Sequence, residues 1–222
     1  VVFYYTGRVF FSQKTYELTR KVMMFLPWLF FLLAISGTFN VFKMNEYVES
    51  DYVVQTERGD GKISEQKVTA DTRSFLYEEN LTSALKYNYW LIGRSPARGH
   101  ETTWFAFGDI TGRNERYRDE VGILNAFKWT GLIGVLIYFL VFYKATFLAI
   151  NKSNNDYSKL IGLYVAFRWM YSWVEDIQDF GLNYFVIWLF IGICLSPSFR
   201  KMNNMEVKLW ARAITGTMYN TA

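Results

Sequence analysis

The sequence has very few of the residues on which the most familiar enzyme sites depend. Its 222 residues include one cysteine, Cys194, and one histidine, His100. A single cysteine cannot close a disulfide within the chain, and one histidine with one distant cysteine cannot supply the usual zinc ligands. No P-loop, dinucleotide-binding fingerprint, nucleophile elbow or zinc-protease motif occurs in the sequence. We therefore expect neither a metal centre nor a nucleotide cofactor.

The sequence also lacks a strong charge of one sign. Its formal net charge is +4, and no basic run is interleaved with aromatic residues, so a nucleic-acid partner is not expected. Hydrophobic residues make up 51% of the chain and aromatic residues 20%. They are concentrated in runs rather than spread at the period of a helix or a strand. This pattern favours a membrane protein over its alternative, an aromatic-rich soluble core.

Four apolar runs predict the fold class, an all-α integral membrane protein with four transmembrane helices. The first run has no charged residue and is long enough to cross about 30 Å of hydrocarbon. In the second, Lys128 and Lys144 bracket the uncharged centre and are expected to reach opposite interfaces. The predicted spans are residues 22–42, 123–150, 160–174 and 182–197.

The flanking segments and their charges predict the orientation. Basic residues gather on one side of the spans, which by the positive-inside rule is the cytoplasm. Residues 1–21 are then a cytoplasmic-side segment or the end of another span, and 198–222 are a cytoplasmic tail. Residues 43–121 form one large extracytoplasmic, α-rich loop. Because the chain opens without methionine, we expect a fragment of a longer polytopic protein.

The large loop has its own predicted elements. The segment 53–64 is expected to form a hairpin, since Gly59-Asp60-Gly61 lies between two partly alternating stretches. Residues 72–90 are expected to form a helix because apolar residues recur at spacings near three and four, with Asp71 or Thr72 as its cap. Gly93 would end this helix, so the arginine-rich segment that follows is expected to be loop.

Five arginines of the loop are candidate ligands for a diphosphate at the outer face of the bilayer. A guanidinium fork pairs with phosphate through two hydrogen bonds and stays charged. The alternative is a solvated loop in which interspersed acids balance the arginines. The candidate arginines are Arg94, Arg98, Arg113, Arg116 and Arg118.

Candidate proton acceptors lie among the same residues. The unperturbed pKa of histidine lies near neutrality, so His100 is one candidate general base, although a lone loop histidine is more often incidental. Glu101 and Glu120 are the catalytic carboxylate candidates, and Glu115 and Asp119 compete with them.

Arg168 lies in the middle of the third predicted span, where a charge is normally kept for function or paired inside the bundle. Ser172, Glu175 and Asp179 follow on the same helical face, which predicts an intramembrane polar stripe. The alternative is a structural ion pair between spans.

Two segments resemble the bacterial O-antigen polymerases and O-antigen ligases. These are Leu91-Ile92-Gly93-Arg94-Ser95-Pro96-Ala97-Arg98-Gly99 and Asn125-Ala126-Phe127-Lys128-Trp129-Thr130-Gly131-Leu132-Ile133-Gly134. The resemblance covers about residues 20–200 and includes the long loop and the final pair of spans. It implies a multi-spanning inner-membrane glycosyltransferase that acts on glycans linked to undecaprenyl diphosphate, an activated leaving group that needs neither metal nor nucleotide.

The resemblance also implies partners and site residues. Expected partners are the lipid-linked oligosaccharide, membrane lipid, a flippase and a chain-length regulator. The family's arginine function carries over best to Arg94 and Arg98. Family members often carry His-Asn before the span that follows the loop, whereas this chain has Leu124-Asn125. Either Glu120 or His100 takes that role, or the base lies elsewhere.

Two other function classes remain open at this point. One is a transporter or flippase-like component, with the Arg168 stripe as the substrate path, although no internal repeat supports it. The other is an assembly subunit of a polysaccharide export system whose loop binds partners.

Overall fold

The computed structural model describes residues 12–43, 53–57, 63–67, 73–102, 115–176 and 181–216. These parts of the chain are mostly helical, as expected. The described helices are α1 Gln13–Ile35, α2 Ser74–Lys86, α3 Gly122–Asn151, α4 Asp156–Tyr171, α5 Leu182–Leu195, α6 Pro197–Lys201 and α7 Asn204–Thr215. The described strands form two small antiparallel pairs, β1 Val53–Glu57 with β2 Ile63–Lys67, and β3 His100–Glu101 with β4 Glu115–Arg116.

The helices α1 and α3 are each long and apolar enough to cross a membrane. Their 23 and 30 residues correspond to about 34 and 45 Å of helix. Only 17% of the apolar window of α1 and 33% of that of α3 are buried within the protein, whereas a soluble core helix would be mostly buried. On α1 the exposed apolar side chains recur at helical spacing and include Leu18, Phe25 and Leu32. The two helices therefore support association with a membrane.

The first helix and the first predicted span differ at both ends. The apolar run begins at Val22, but α1 already begins at Gln13, so Arg20 lies inside the helix. Arg20 is buried with its guanidinium 5.1 Å from the ring of Tyr143, a cation–π contact that partly compensates for lost hydration. The helix ends at Ile35 because Gly37 takes a left-handed conformation, with φ of 71°.

The chain divides into two compact units. The first, the helical unit, comprises Val1–Leu26, Glu120–Ile123 and Leu132–Ala222. Its core centres on Trp169 of α4, which is fully buried, contacts the rings of Phe139 and Phe142, and donates from Nε1 to the Met24 carbonyl oxygen at 3.1 Å. Indole N–H groups need such a partner when they are buried.

The same unit supplies donors and acceptors for its helix ends. The N–H groups of Gly122 and Ile123, at the start of α3, donate to the carbonyl oxygens of Glu175 and Ser172. The first N–H groups of a helix have no partner within the helix, so the segment after α4 satisfies two of them. The side chain of Asn155 caps α4 by accepting from the Ser158 N–H at 2.7 Å.

The second unit, the loop unit, comprises Pro27–Asp119 and Leu124–Gly131. The hairpin predicted over 53–64 is confirmed, with Val53 paired to Lys67 and Glu57 paired to Ile63. The helix predicted over 72–90 is present but shorter, since α2 covers Ser74–Lys86. The predicted caps Asp71 and Thr72 lie outside the described residues. Beyond α2 the chain turns at Asn88, which has a positive φ of 53°.

Two glycines of the loop unit bring the loop against α3. Gly131 interrupts the helix with φ of 66° and ψ of −169°. Such a break leaves carbonyl groups of the preceding turn without their helical donors. The N–H groups of Arg94 and Ser95 occupy these positions, donating to the carbonyl oxygens of Lys128 at 2.8 Å and Trp129 at 3.2 Å. Gly93, with φ of 82°, begins this contact.

Neither glycine leaves room for a side chain. A Cβ atom on Gly93 would lie 2.5 Å from the Trp129 backbone, and a Cβ atom on Gly131 would lie 2.3 Å from that of Leu91. We expect Gly93→Ala and Gly131→Ala each to lower the free energy of unfolding by about 2–4 kcal/mol, from backbone strain and overlap. Thermal unfolding of the purified protein in detergent measures this effect.

The matched control is Gly192→Ala on α5, where a Cβ atom would meet nothing within 4 Å. Its melting temperature is expected to equal or exceed that of the unaltered protein, because alanine has the higher helix propensity. Equal melting temperatures for all three variants would contradict the close backbone approach.

Candidate functional site

The site in the loop unit is built on the β3–β4 pair, which places His100 opposite Arg116 and Glu101 opposite Glu115. The preceding residue, Gly99, permits the strands to approach, since a Cβ atom there would lie 2.6 Å from the Arg116 carbonyl oxygen. Loop residues separated by the undescribed stretch 103–114 are thereby brought together. The contacts described in the next paragraphs, from the Arg98–Glu115 pair to the Arg116–Asp119 pair, all lie within the loop unit.

Arg98 and Glu115 form a bidentate ion pair. The Nη2 atom of Arg98 lies 2.6 Å from Oε1 of Glu115, and its Nε atom lies 3.1 Å from Oε2. The Gly99 N–H also donates to Glu115, at 3.2 Å. The hydrogen bonds from Arg98 are the main reason that the pKa of Glu115 is below its ordinary value. Arg98 is 43% exposed and Glu115 only 8%, so the pair presents an oriented guanidinium to solvent.

Arg94, which was predicted with Arg98 as a diphosphate ligand, is less exposed than Arg98 and makes different contacts. Its side chain is only 14% exposed, and its guanidinium lies 4.9 Å from the ring centres of both Tyr87 and Tyr89. Its Nη1 atom donates to the Gly99 carbonyl oxygen at 3.0 Å. These contacts connect the end of α2 to β3, and they make Arg94 a residue that holds the loop in shape.

His100 lies fully buried between two carboxylates. Its Nε2 atom is 3.5 Å from Oε2 of Glu79, and its Nδ1 atom is 3.6 Å from Oδ2 of Asp119. Neither ring nitrogen is placed for a regular hydrogen bond. Burial is the largest influence on its pKa and lowers it, the two carboxylates act in the opposite sense, and Lys128 lowers it further. His100 is therefore held as a neutral imidazole at neutral pH.

Asp119 is the centre of this buried group, which we call the polar cluster: Glu79, Asn80, His100, Asp119 and Lys128. The Oδ2 atom of Asp119 accepts from Lys128 Nζ and from Asn80 Nδ2, both at 3.1 Å. Lys128 does not reach an interface as predicted, because its side chain is completely buried in this pairing. A buried lysine requires a partner of opposite charge, and Asp119 supplies it.

The position of Asp119 is set by Asn125, in the first turn of α3. The Asn125 side chain accepts from the Asp119 N–H and donates to the Asp119 carbonyl oxygen, each at 2.8 Å. Glu79, on the other side of His100, accepts from the Thr102 hydroxyl at 3.0 Å. The polar cluster therefore joins α2, β3 and the first turns of α3 through side chains that hold one another in place.

The other predicted site residues lie outside the polar cluster. Glu101 is 41% exposed and pairs with Lys86 at 2.6 Å, which lowers the pKa of its carboxyl group. Glu120 and Arg118 are exposed. Arg116 lies at the edge of the cluster, with its Nε atom 3.5 Å from Oδ1 of Asp119. Arg113 lies outside the described residues.

The predicted polar stripe belongs to the helical unit. The Arg168 guanidinium lies 5.5 Å from the ring centre of Tyr171. Within the part of the chain that the structure describes, Arg168 forms no ion pair with Glu175. Asp179 lies outside that part. Tyr171, on the same helix, supplies an aromatic face to this guanidinium.

Sequence reasoning missed Glu79, Asn80 and Lys128 as members of the site. One signal was available for Asn80: it lies four residues after Leu76 and four before Ala84, so a polar residue occupies the apolar face of α2. Glu79 and Lys128 carry no such signal, because each is one charged residue among many. Among the described side chains, no group of three or more histidine, cysteine or acidic residues is arranged to hold a metal ion.

Comparisons of the chain with models of protein families, with curated proteins and with solved structures find no match. The functional argument therefore depends on the residues and contacts of this chain.

The pKa of His100 predicts how stability depends on pH. Its folded-state pKa lies below the ordinary 6.5, so the unfolded chain binds a proton more readily than the folded one. We expect stability to fall as the pH decreases below about 6.5, by at most about 1.4 kcal/mol per pH unit. Melting temperatures between about pH 7.5 and pH 5.5 measure the slope.

Two variants show whether His100 is the group responsible for this pH dependence of stability. His100→Gln removes the titrating ring and is expected to flatten the curve in this range, whatever its absolute stability. Glu101→Gln is the control, because the lowered pKa of Glu101 places its titration below this range. An unchanged slope in His100→Gln would show that another group is responsible.

Proposed function

We propose that the chain acts in the transfer of glycan units from undecaprenyl diphosphate, in the manner of the O-antigen polymerases and ligases. The observation that carries the proposal is Arg98, a half-exposed guanidinium oriented by a bidentate pairing with Glu115. It lies in the same compact unit as the first turns of α3, a helix able to cross a membrane. A planar cation near a bilayer suits the diphosphate of a lipid carrier.

Four helices cross the membrane in this proposal: α1, α3, α4 and α5. The last two have 16 and 14 residues, about 24 and 21 Å of helix, so the bilayer thins around them. On α5 the exposed side chains include Leu182 at 78% and Phe185 at 62%, which suit contact with lipid. Both ends of the chain face the cytoplasm of a bacterial cell, and residues 43–121 lie outside the inner membrane.

The loop itself provides a membrane contact. Trp90, Leu91 and Ile92 are 41%, 41% and 74% exposed and directly precede Gly93. Aromatic and aliphatic side chains of this kind favour the boundary between headgroups and hydrocarbon. With these residues at the boundary, Arg98 stands at the depth of a lipid-linked diphosphate.

The reaction follows from an activated leaving group. A hydroxyl oxygen of the acceptor sugar forms a bond to the anomeric carbon as the bond from that carbon to the diphosphate oxygen breaks. Undecaprenyl diphosphate leaves with the electron pair, and Arg98 stabilises the charge that develops on it. Glu101, partly exposed and held ionised by Lys86, accepts the hydroxyl proton.

Arg94 and His100 act through their neighbours. The Arg94 guanidinium packs against two tyrosine rings and fixes the Gly93–Gly99 turn, so that Arg98 is presented from a fixed backbone. His100 is enclosed by Glu79 and Asp119 and does not reach solvent. Its part is to join β3 to α3 through Asp119, and it is a positioning residue.

The test of this site is the product made by Arg98 variants. We expect Arg98→Ala and Arg98→Lys both to reduce glycan transfer by about a hundredfold or more, because lysine lacks the planar fork. The lysine variant still neutralises Glu115, so its loss of activity reports the fork rather than folding. The assay measures lengthened or transferred glycan made from a purified glycan-diphosphate lipid.

The matched control is Lys152→Ala, an exposed cation in the turn after α3, which is expected to keep full activity. Normal glycan transfer by Arg98→Ala would show that Arg98 does not stabilise the diphosphate. Movement of the lipid-linked glycan across vesicles without any new glycosidic bond would favour a transporter, and the absence of both would favour an assembly subunit.

The orientation is tested by cysteine labelling. A cysteine introduced by Ser64→Cys, on β2, is expected to react with an impermeant thiol reagent once the outer membrane is permeable. Lys152→Cys, on the opposite side in the proposal, is expected to react only after lysis of the inner membrane. The reverse order would overturn the topology.

A further inference from the structure

The last described helix, α7, is amphipathic along its whole length. It begins with a capping box in which Asn203 accepts from the Glu206 N–H and Glu206 accepts from the Asn203 N–H. Met205 and Leu209, four residues apart, are 63% and 46% exposed. Lys208 and Arg212 follow the neighbouring row of the helix at the same spacing. An apolar row therefore lies beside a basic row.

The orientation of α7 is fixed within the helical unit. Val207 is buried, and the ring of Trp210 meets Phe199 of α6 edge to face at 5.4 Å. The Asn204 side chain accepts from the Asp156 N–H and donates to the Asp156 carboxylate, each at 2.8 Å. The exposed apolar row is thus a fixed surface, presented by a helix that is held at one end and along one side.

A groove of about 460 Å³ opens between α5 and the α6–α7 segment. Its apolar lining includes Trp188, Leu189 and Ile193 of α5, and Phe199 and Trp210 beyond it. Gly192 also lines it, and a Cβ atom there would meet nothing within 4 Å. Leu189, which is 48% exposed, belongs both to this groove and to the outward apolar face of α5. An acyl chain can therefore enter without crossing a polar barrier.

We propose that this part of the helical unit binds an anionic phospholipid, with one acyl chain in the groove and the headgroup against the cations of the α6–α7 segment. Residues 197–216 contain four cations, Arg200, Lys201, Lys208 and Arg212, and one acid, Glu206. Because the Glu206 carboxylate is engaged in the capping box, the charge of this segment suits an anionic surface. The inference depends on the proposed membrane crossing of α5, but not on glycan transfer.

Spin labelling in vesicles that contain phosphatidylglycerol tests the position of α7. In a Cys194→Ala background, nitroxides are attached to cysteines introduced by Leu209→Cys and Lys208→Cys. We expect dissolved oxygen to reach the label at 209 and a water-soluble nickel chelate to reach the label at 208. Nickel access to both labels means an aqueous helix, and access of neither reagent to either label means a protein-covered one. Any pattern other than the expected one, including these two, overturns the proposal.

The groove is tested by filling it. Gly192→Phe places a ring in open space, and native mass spectrometry counts the phosphatidylglycerol and phosphatidylcholine retained from an equal mixture. We expect retained phosphatidylglycerol to fall about tenfold, the factor for two fewer buried methylenes. Leu182→Phe, at the exposed start of α5, is the control and keeps its lipid. Equal retention by the two variants, or no preference for the anionic lipid, overturns the site, whatever the result for glycan transfer.

Discussion

The close contact between the Gly93 turn and the interrupted helix at Gly131 is the constraint on which the loop unit depends. Two backbone segments approach so closely that neither glycine has space for a methyl group. The N–H groups of Arg94 and Ser95 satisfy the carbonyl groups of Lys128 and Trp129. A helix long and apolar enough for a membrane can be broken in this way only if other groups replace its lost hydrogen bonds. The loop that contains Arg94 and Ser95 therefore completes the backbone hydrogen bonding of α3.

The polar cluster follows from that contact. Once the loop is held at Lys128, the buried ammonium group needs a carboxylate, and Asp119 supplies it at 3.1 Å. Asp119 in turn accepts a hydrogen bond at its carboxylate from Asn80 of α2 and one at its carbonyl oxygen from Asn125 of α3. The Lys128 ammonium and the Asn80 amide nitrogen are paired with Asp119 in this way, whereas the ring nitrogens of His100 have no regular hydrogen bond. Arg98 gains its orientation from Glu115, on the strand that pairs with β3.

Local patterns predicted the local elements, and the site needed long-range contacts. The apolar run 123–150 matches α3 within one residue at each end, and Gly59-Asp60-Gly61 marked the hairpin correctly. Spacing along the chain carried no information that Lys128 would be buried, because the position of its partner Asp119 depends on contacts with Asn80 and Asn125. Arg94 and Arg98 have the same residue type and flank the same turn. Both lie near Glu115, but Arg94 is 14% exposed, packs against two tyrosine rings and is 3.7 Å from the carboxylate, whereas Arg98 is 43% exposed and pairs with it through two hydrogen bonds.

The break at Gly131 has a consequence for biosynthesis. The donors, Arg94 and Ser95, lie earlier in the sequence than the acceptors, Lys128 and Trp129. During synthesis the loop therefore leaves the ribosome before the helix that it must complete. On the proposed topology the loop is translocated first, so α3 enters the bilayer when the donors for its two carbonyl groups are already outside. The order of the loop and α3 along the chain therefore matches the order in which they would reach the membrane.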